Sequence, residues 1–82
     1  MKHDAKILIV DDEPAAIQML RKTLQGMGVL CYAISGQEAL DLVASDSPDL
    51  ILLDANMPGM DGYVTCLALQ EHYPDIPVVF VT

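Results

Sequence analysis

Three carboxylates sit where two apolar runs stop. Asp54 follows Leu50-Ile51-Leu52-Leu53, and Asp11-Asp12-Glu13 follows Lys6-Ile7-Leu8-Ile9-Val10. An apolar run that ends abruptly in a carboxylate reads as a buried strand carrying a charged group at its carboxyl end. In open α/β sheets that end is where ligands and chemistry sit. Two such strands lying side by side would bring Asp11, Asp12 and Asp54 to one spot. Like charges at that separation repel strongly. The arrangement therefore calls for a cation, and carboxylate oxygens select a hard one such as Mg²⁺ (or Mn²⁺). Helix capping offers another role for Asp12, Glu13 and Asp61, but it does not explain Asp54 behind four apolar residues.

The elements that must position these groups alternate strand, helix, strand, helix, strand, helix, strand, the order of βαβ units in a parallel sheet. The first helix is predicted from about Pro14 to Gln25. Pro14 suits its first turn, Asp12 or Glu13 can serve its N-terminus, and Gly26 or Gly28 can supply a left-handed stop. Ile17, Leu20, Leu24 and Met27 form its apolar stripe. A second strand runs from Val29 to Ile34. Ser35-Gly36-Gln37-Glu38 is a capping box that opens a helix through Ala39, Leu40, Leu42 and Val43. Asp61 is a good N-cap for a third helix, Gly62 to His72, which Pro74 ends. The last strand is Val78 to Val81. The third helix is apolar almost all round, leaving Thr65, Gln70 and Glu71 as its polar residues. That reads either as ordinary exposure of apolar side chains or as a partner surface.

At 82 residues the chain is one small domain,. Hydrophobic residues make up 52% of it, so it is not disordered,. No apolar run approaches the roughly 18 residues of a membrane helix. The N-terminus lacks the apolar core of a signal peptide, so a cytoplasmic location is expected. Cys31 and Cys66 are isolated and read as free thiols in a reducing compartment; His3 and His72 have no catalytic context. The net charge is −8, and Lys2, Lys6, Arg21 and Lys22 are the only cations. From Thr23 onward there is no Lys or Arg. Such a surface repels phosphate backbones, so direct nucleic-acid binding is not expected.

In three stretches the chain resembles the receiver domain of two-component response regulators. These are Ile7-Leu8-Ile9-Val10-Asp11-Asp12-Glu13, Leu52-Leu53-Asp54-Ala55-Asn56-Met57-Pro58-Gly59-Met60-Asp61-Gly62, and Ile76-Pro77-Val78-Val79-Phe80-Val81-Thr82. The resemblance implies a flavodoxin-like doubly wound parallel sheet with strand order 2-1-3-4. It implies Asp54 as the acceptor of a phosphoryl group from a histidine kinase or phosphotransfer protein. Asp12 and Asp54 would ligate the metal directly, Asp11 through water and Asn56 through its backbone carbonyl. Met57, Pro58 and Gly59 would shape the turn that aims that carbonyl, and the Thr82 hydroxyl would bind the phosphoryl group.

Receivers continue past this Thr with a helix, a lysine-bearing strand and a last helix, so residues 1–82 are expected to be a receiver lacking that portion. Lys6 cannot stand in for the lysine, because it begins its strand about 16 Å from the acidic end at roughly 3.3 Å per residue. The open fourth strand leads us to expect a homodimer or domain-swapped oligomer. An interaction fragment unable to accept phosphate is the alternative reading. An aspartyl-nucleophile phosphatase of the haloacid dehalogenase type fits poorly, since its second aspartate is replaced by Asn56.

Overall fold

Alternation along β1 (Lys6–Val10) divides the core in two. Leu8 and Val10 point to one side of the sheet, Ile7 and Ile9 to the other, as the two-residue period of a strand requires,. The computed structural model describes residues 5–55, 57 and 62–81. It continues with α1 (Pro14–Thr23), β2 (Val29–Ala33), α2 (Gly36–Ser45), β3 (Leu50–Leu53), α3 (Gly62–His72) and β4 (Val78–Phe80). The four strands form one parallel sheet in the order β2-β1-β3-β4, as the resemblance implies.

The two faces are covered unequally. Leu8, Val10, Ile51, Leu53 and Ala33 pack under Ala39 and Val43 of α2 and Cys66 and Leu69 of α3. On the other face α1 is the only helix among the described residues that covers the sheet, with Ile17 buried on Ile7, Ile9 and Leu52 and with Leu20 and Leu24 half-buried beside them. Each fully buried aliphatic side chain contributes about 1.5–3 kcal/mol. Val79 and Phe80 of β4 stay exposed. The Phe80 ring rests against Tyr63 with centroids 5.1 Å apart.

Several expectations need correction. α1 ends at Thr23, and Met27 lies past it, 63% exposed, so the stripe stops at Leu24. Gly26 does take the left-handed conformation expected of a helix stop, with φ +87°,. In α3 the inward residues are Gly62, Thr65, Cys66 and Leu69. Thr65, read as part of the polar face, is fully buried, while Tyr63, Val64 and Leu67 face outward. β2 ends at Ala33 and β4 at Phe80, one residue short in each case, although Val81 still donates to the Leu53 carbonyl at 2.9 Å. Cys66 is buried and Cys31 half-buried, both as free thiols.

The capping box forms. The Ser35 hydroxyl accepts from the Glu38 N–H at 3.1 Å, and the Glu38 carboxylate reaches back to the Ile34 N–H at 3.1 Å. At the amino edge of the sheet, Lys6 and Asp49 exchange hydrogen bonds while the Lys6 ammonium pairs with Asp46. Replacing Ser35 with Ala is expected to cost about 1 kcal/mol of stability. Urea unfolding with an unchanged m-value checks this.

Candidate metal and phosphoryl site

Two ladder bonds carry the sheet one residue past its strands and put the carboxylates in place. The Asp11 N–H donates to the Ala33 carbonyl at 3.0 Å, and the Asp54 N–H donates to the Val10 carbonyl at 2.9 Å. Since Val10 and Leu53 are in register, Asp11 and Asp54 emerge side by side at the carboxyl edge of neighbouring strands. One carboxylate oxygen each from Asp11, Asp12 and Asp54 lies within 4.8 Å of the others. The strand order turns between β1 and β3, the switch point at which sheets of this class bind ligands,.

Asp11 is the buried member, 8% exposed, and Asp54 is half-buried. Burial, above all, raises the Asp11 pKa above the usual carboxylate range, and the negative charges of Asp54, Asp12 and Glu13 push it further. The Glu13 N–H, which donates to Asp11 Oδ1 at 2.9 Å, works in the opposite direction. That bond ties the loop after β1 to the start of α1. Contrary to expectation, neither Asp12 nor Glu13 caps α1 through its side chain: Glu13 holds the N-cap position, but only its backbone carbonyl is used, by Ala16 and Ile17.

The donor set fits a hard divalent cation: one carboxylate oxygen from each of three acidic residues converges on one place,. Lys6 pairs with Asp46 at the opposite end of β1, and Arg21 and Lys22 lie along the flank of α1.

The third helix contributes by proximity. A Cβ on Gly62 would stand 2.2 Å from the Asp54 carbonyl oxygen and 2.4 Å from the Ala55 Cα. Only glycine lets the first turn of α3 seat against the Asp54–Ala55 backbone, where the Gly62 N–H reaches the Ala55 carbonyl at 3.3 Å. Met57 anchors the same loop by burying its side chain in the core under α3. Sequence reasoning took Gly62 only as a helix start. The signal was there: glycine in a first turn is a poor helix former and needs a packing reason. Asn56, Pro58, Gly59, Asp61, Thr82 and His3 lie outside the described residues.

A family model of the response regulator receiver domain matches residues 7–82. Among curated proteins the chain is similar to the response regulator MprA of Mycolicibacterium vanbaalenii, with 42% identity over 94% of this chain and 34% of that protein. It is similar also to the transcriptional regulatory protein YvrH of Bacillus subtilis, with 41% identity over 96% of this chain and 34% of that protein. The chain thus spans about a third of the length of these relatives. Among solved structures, the N-terminal domain of a response regulator receiver protein from Methanoculleus marisnigri superposes with a TM-score of 0.90 at 36% identity, covering 95% of this chain and 66% of that one.

The Asp11 environment gives stability a pH dependence. Its folded pKa is raised, so the metal-free fold binds a proton that the unfolded chain, titrating near about 3.9, has already lost,. Stability should therefore rise as pH falls through the raised value. Asp11→Asn should flatten the change in Tm between about pH 7.5 and about pH 4.5, and at the higher pH it should stabilise the metal-free chain by about 1 kcal/mol. Differential scanning fluorimetry of the two proteins in chelator measures both.

Proposed function

The chain belongs to the response regulator receiver family, and on that premise we propose that it accepts a phosphoryl group on Asp54 in a Mg²⁺-dependent transfer from a phosphohistidine donor. The observation that carries this reading is the convergence of Asp11, Asp12 and Asp54 at the carboxyl edge of the sheet. A carboxylate oxygen of Asp54 attacks phosphorus, the donor's P–N bond breaks, and the imidazole nitrogen keeps the electron pair and takes up a proton. Asp54 is half-buried, open enough for a donor to approach, while its backbone is held by Val10 and bounded by Gly62. Such transfer asks mainly for positioning and for charge stabilisation.

When bound, Mg²⁺ or Mn²⁺ supplies the positive charge that lets an anionic donor meet an anionic acceptor. Asp11, Asp12 and Asp54 would hold it, with the Asn56 carbonyl as a further ligand. The Thr82 hydroxyl would donate to the transferred group. Burial favours the neutral form of Asp11 and a bound cation favours its carboxylate, so metal binding and ionisation of Asp11 favour one another,.

The donor protein is proposed to be a histidine kinase or a phosphotransfer protein in the cytoplasm. The parent protein is proposed to carry an output domain beyond this module, acting in transcription as the name of one relative suggests. With a net charge of −8 the module itself is not expected to contact nucleic acid,. No helix among the described residues is long and apolar enough to cross a membrane.

Incubation with acetyl phosphate and Mg²⁺, followed by intact mass measurement, should show a gain of one phosphoryl group. The gain should vanish in Asp54→Asn and in chelator. No gain by a folded wild-type chain would leave only the interaction-fragment reading. The open β4 edge, with Val79 and Phe80 exposed beside Tyr63 and Leu67, supports self-association of this chain,. Light scattering should give twice the monomer mass or more; a monomer would remove that part of the proposal.

A further inference from the structure

At the other edge of the sheet, β2 pairs, among the described residues, only with β1. The Val29 N–H donates to the Ala5 carbonyl at 2.7 Å and the Ala33 carbonyl accepts from Asp11 at 3.0 Å, so these residues turn their backbone groups toward β1. Alternate residues of a parallel strand bond to the same side. The N–H and C=O of Leu30 and Tyr32 therefore point to the open edge. Ile34, next in that series, already gives its N–H to a carboxylate, that of Glu38.

The side chains of Leu30 and Tyr32 also form one wall of a groove of about 550 Å³. The opposite wall is Gln18, Arg21, Lys22 and Gln25, one face of α1 and its continuation,. The Arg21 guanidinium lies 5.9 Å from the centre of the Tyr32 ring, within cation–π range,. Among the described residues Arg21 and Lys22 form no ion pair, whereas Lys6 is held by Asp46. Among the described residues, a chain with a net charge of −8 thus presents its unpaired cationic side chains in one groove, beside strand backbone that faces away from β1.

We propose that this groove docks an extended acidic segment of a partner protein. The segment adds as a strand to β2, and its carboxylates meet Arg21 and Lys22. Strand addition supplies the hydrogen bonds, and alternate side chains, about 6.8 Å apart, supply the recognition. Two neighbouring cations on a chain with a net charge of −8 suit a short run of carboxylates and not a polyanion, which the net charge repels,. The groove shares no residue with the acidic cluster, so docking does not occupy the phosphoryl site.

The test is titration of the ¹⁵N-labelled chain with a capped heptapeptide of alternating Glu and Val. The Leu30 and Tyr32 amide signals should shift. Arg21→Glu with Lys22→Glu should weaken binding by about tenfold or more, and so should added salt. Both side chains are exposed, and circular dichroism checks that the double variant keeps its fold. Backbone N-methylation of the peptide's pairing amides should abolish binding. The proposal is overturned if the peptide does not bind, if an alternating Lys and Val peptide binds as well, or if neither the double variant nor N-methylation weakens binding. Stronger shifts of the same amides by duplex DNA or by phosphatidylserine vesicles would also overturn it.

Discussion

One unfavourable contact organises this molecule: three carboxylates brought together at the end of two adjacent parallel strands. Left to themselves Asp11, Asp12 and Asp54 would separate. They stay together because the backbone bonds from Asp11 to Ala33 and from Asp54 to Val10 extend ladders whose registers are already fixed by buried side chains on both faces. β1 is the centre of that arrangement. Its residues 7–10 are all buried, alternating between two core layers, so slipping it by one residue would exchange the layers,. The apolar core therefore holds the charge cluster in place against its own repulsion.

The remaining surface is sorted by the same sheet. Carboxylates gather at the carboxyl edge, and Lys6 with Asp46 and Asp49 closes the amino edge. Arg21 and Lys22 flank the β2 side, and the exposed apolar side chains of α3 and β4 occupy the far side. A parallel strand has chemically different ends and a parallel sheet has two different margins, so a few residues per strand suffice to give each border its own character.

Much of this could be read in the sequence because the signals were local. Asp54 behind four apolar residues, Asp11 at the end of a five-residue strand and the Ser35–Glu38 box each carry their meaning within a few positions. What escaped depended on how elements meet. The apolar repeat continued to Met27, but α1 ends four residues earlier, and the spacing carries no mark of that stop. In α3 apolar residues surround the helix, so periodicity contains no phase. Thr65 therefore looked outward on composition although it is fully buried.

The phase of α3 has a structural source, and it is the site itself. Gly62 must face the Asp54–Ala55 backbone, since no other residue fits there. Once Gly62 points inward, helical geometry turns residues three, four and seven positions later inward as well, which are Thr65, Cys66 and Leu69,. The same rotation sends Tyr63, Val64 and Leu67 outward and sets Tyr63 against Phe80. The contact at Gly62 is backbone against backbone, with no flexible side chain between to absorb a shift. A displacement of the Asp54 carbonyl must then be shared by the first turn of α3 and by the aromatic pair it carries. Placing Asp54 and orienting the exposed apolar surface are one steric constraint.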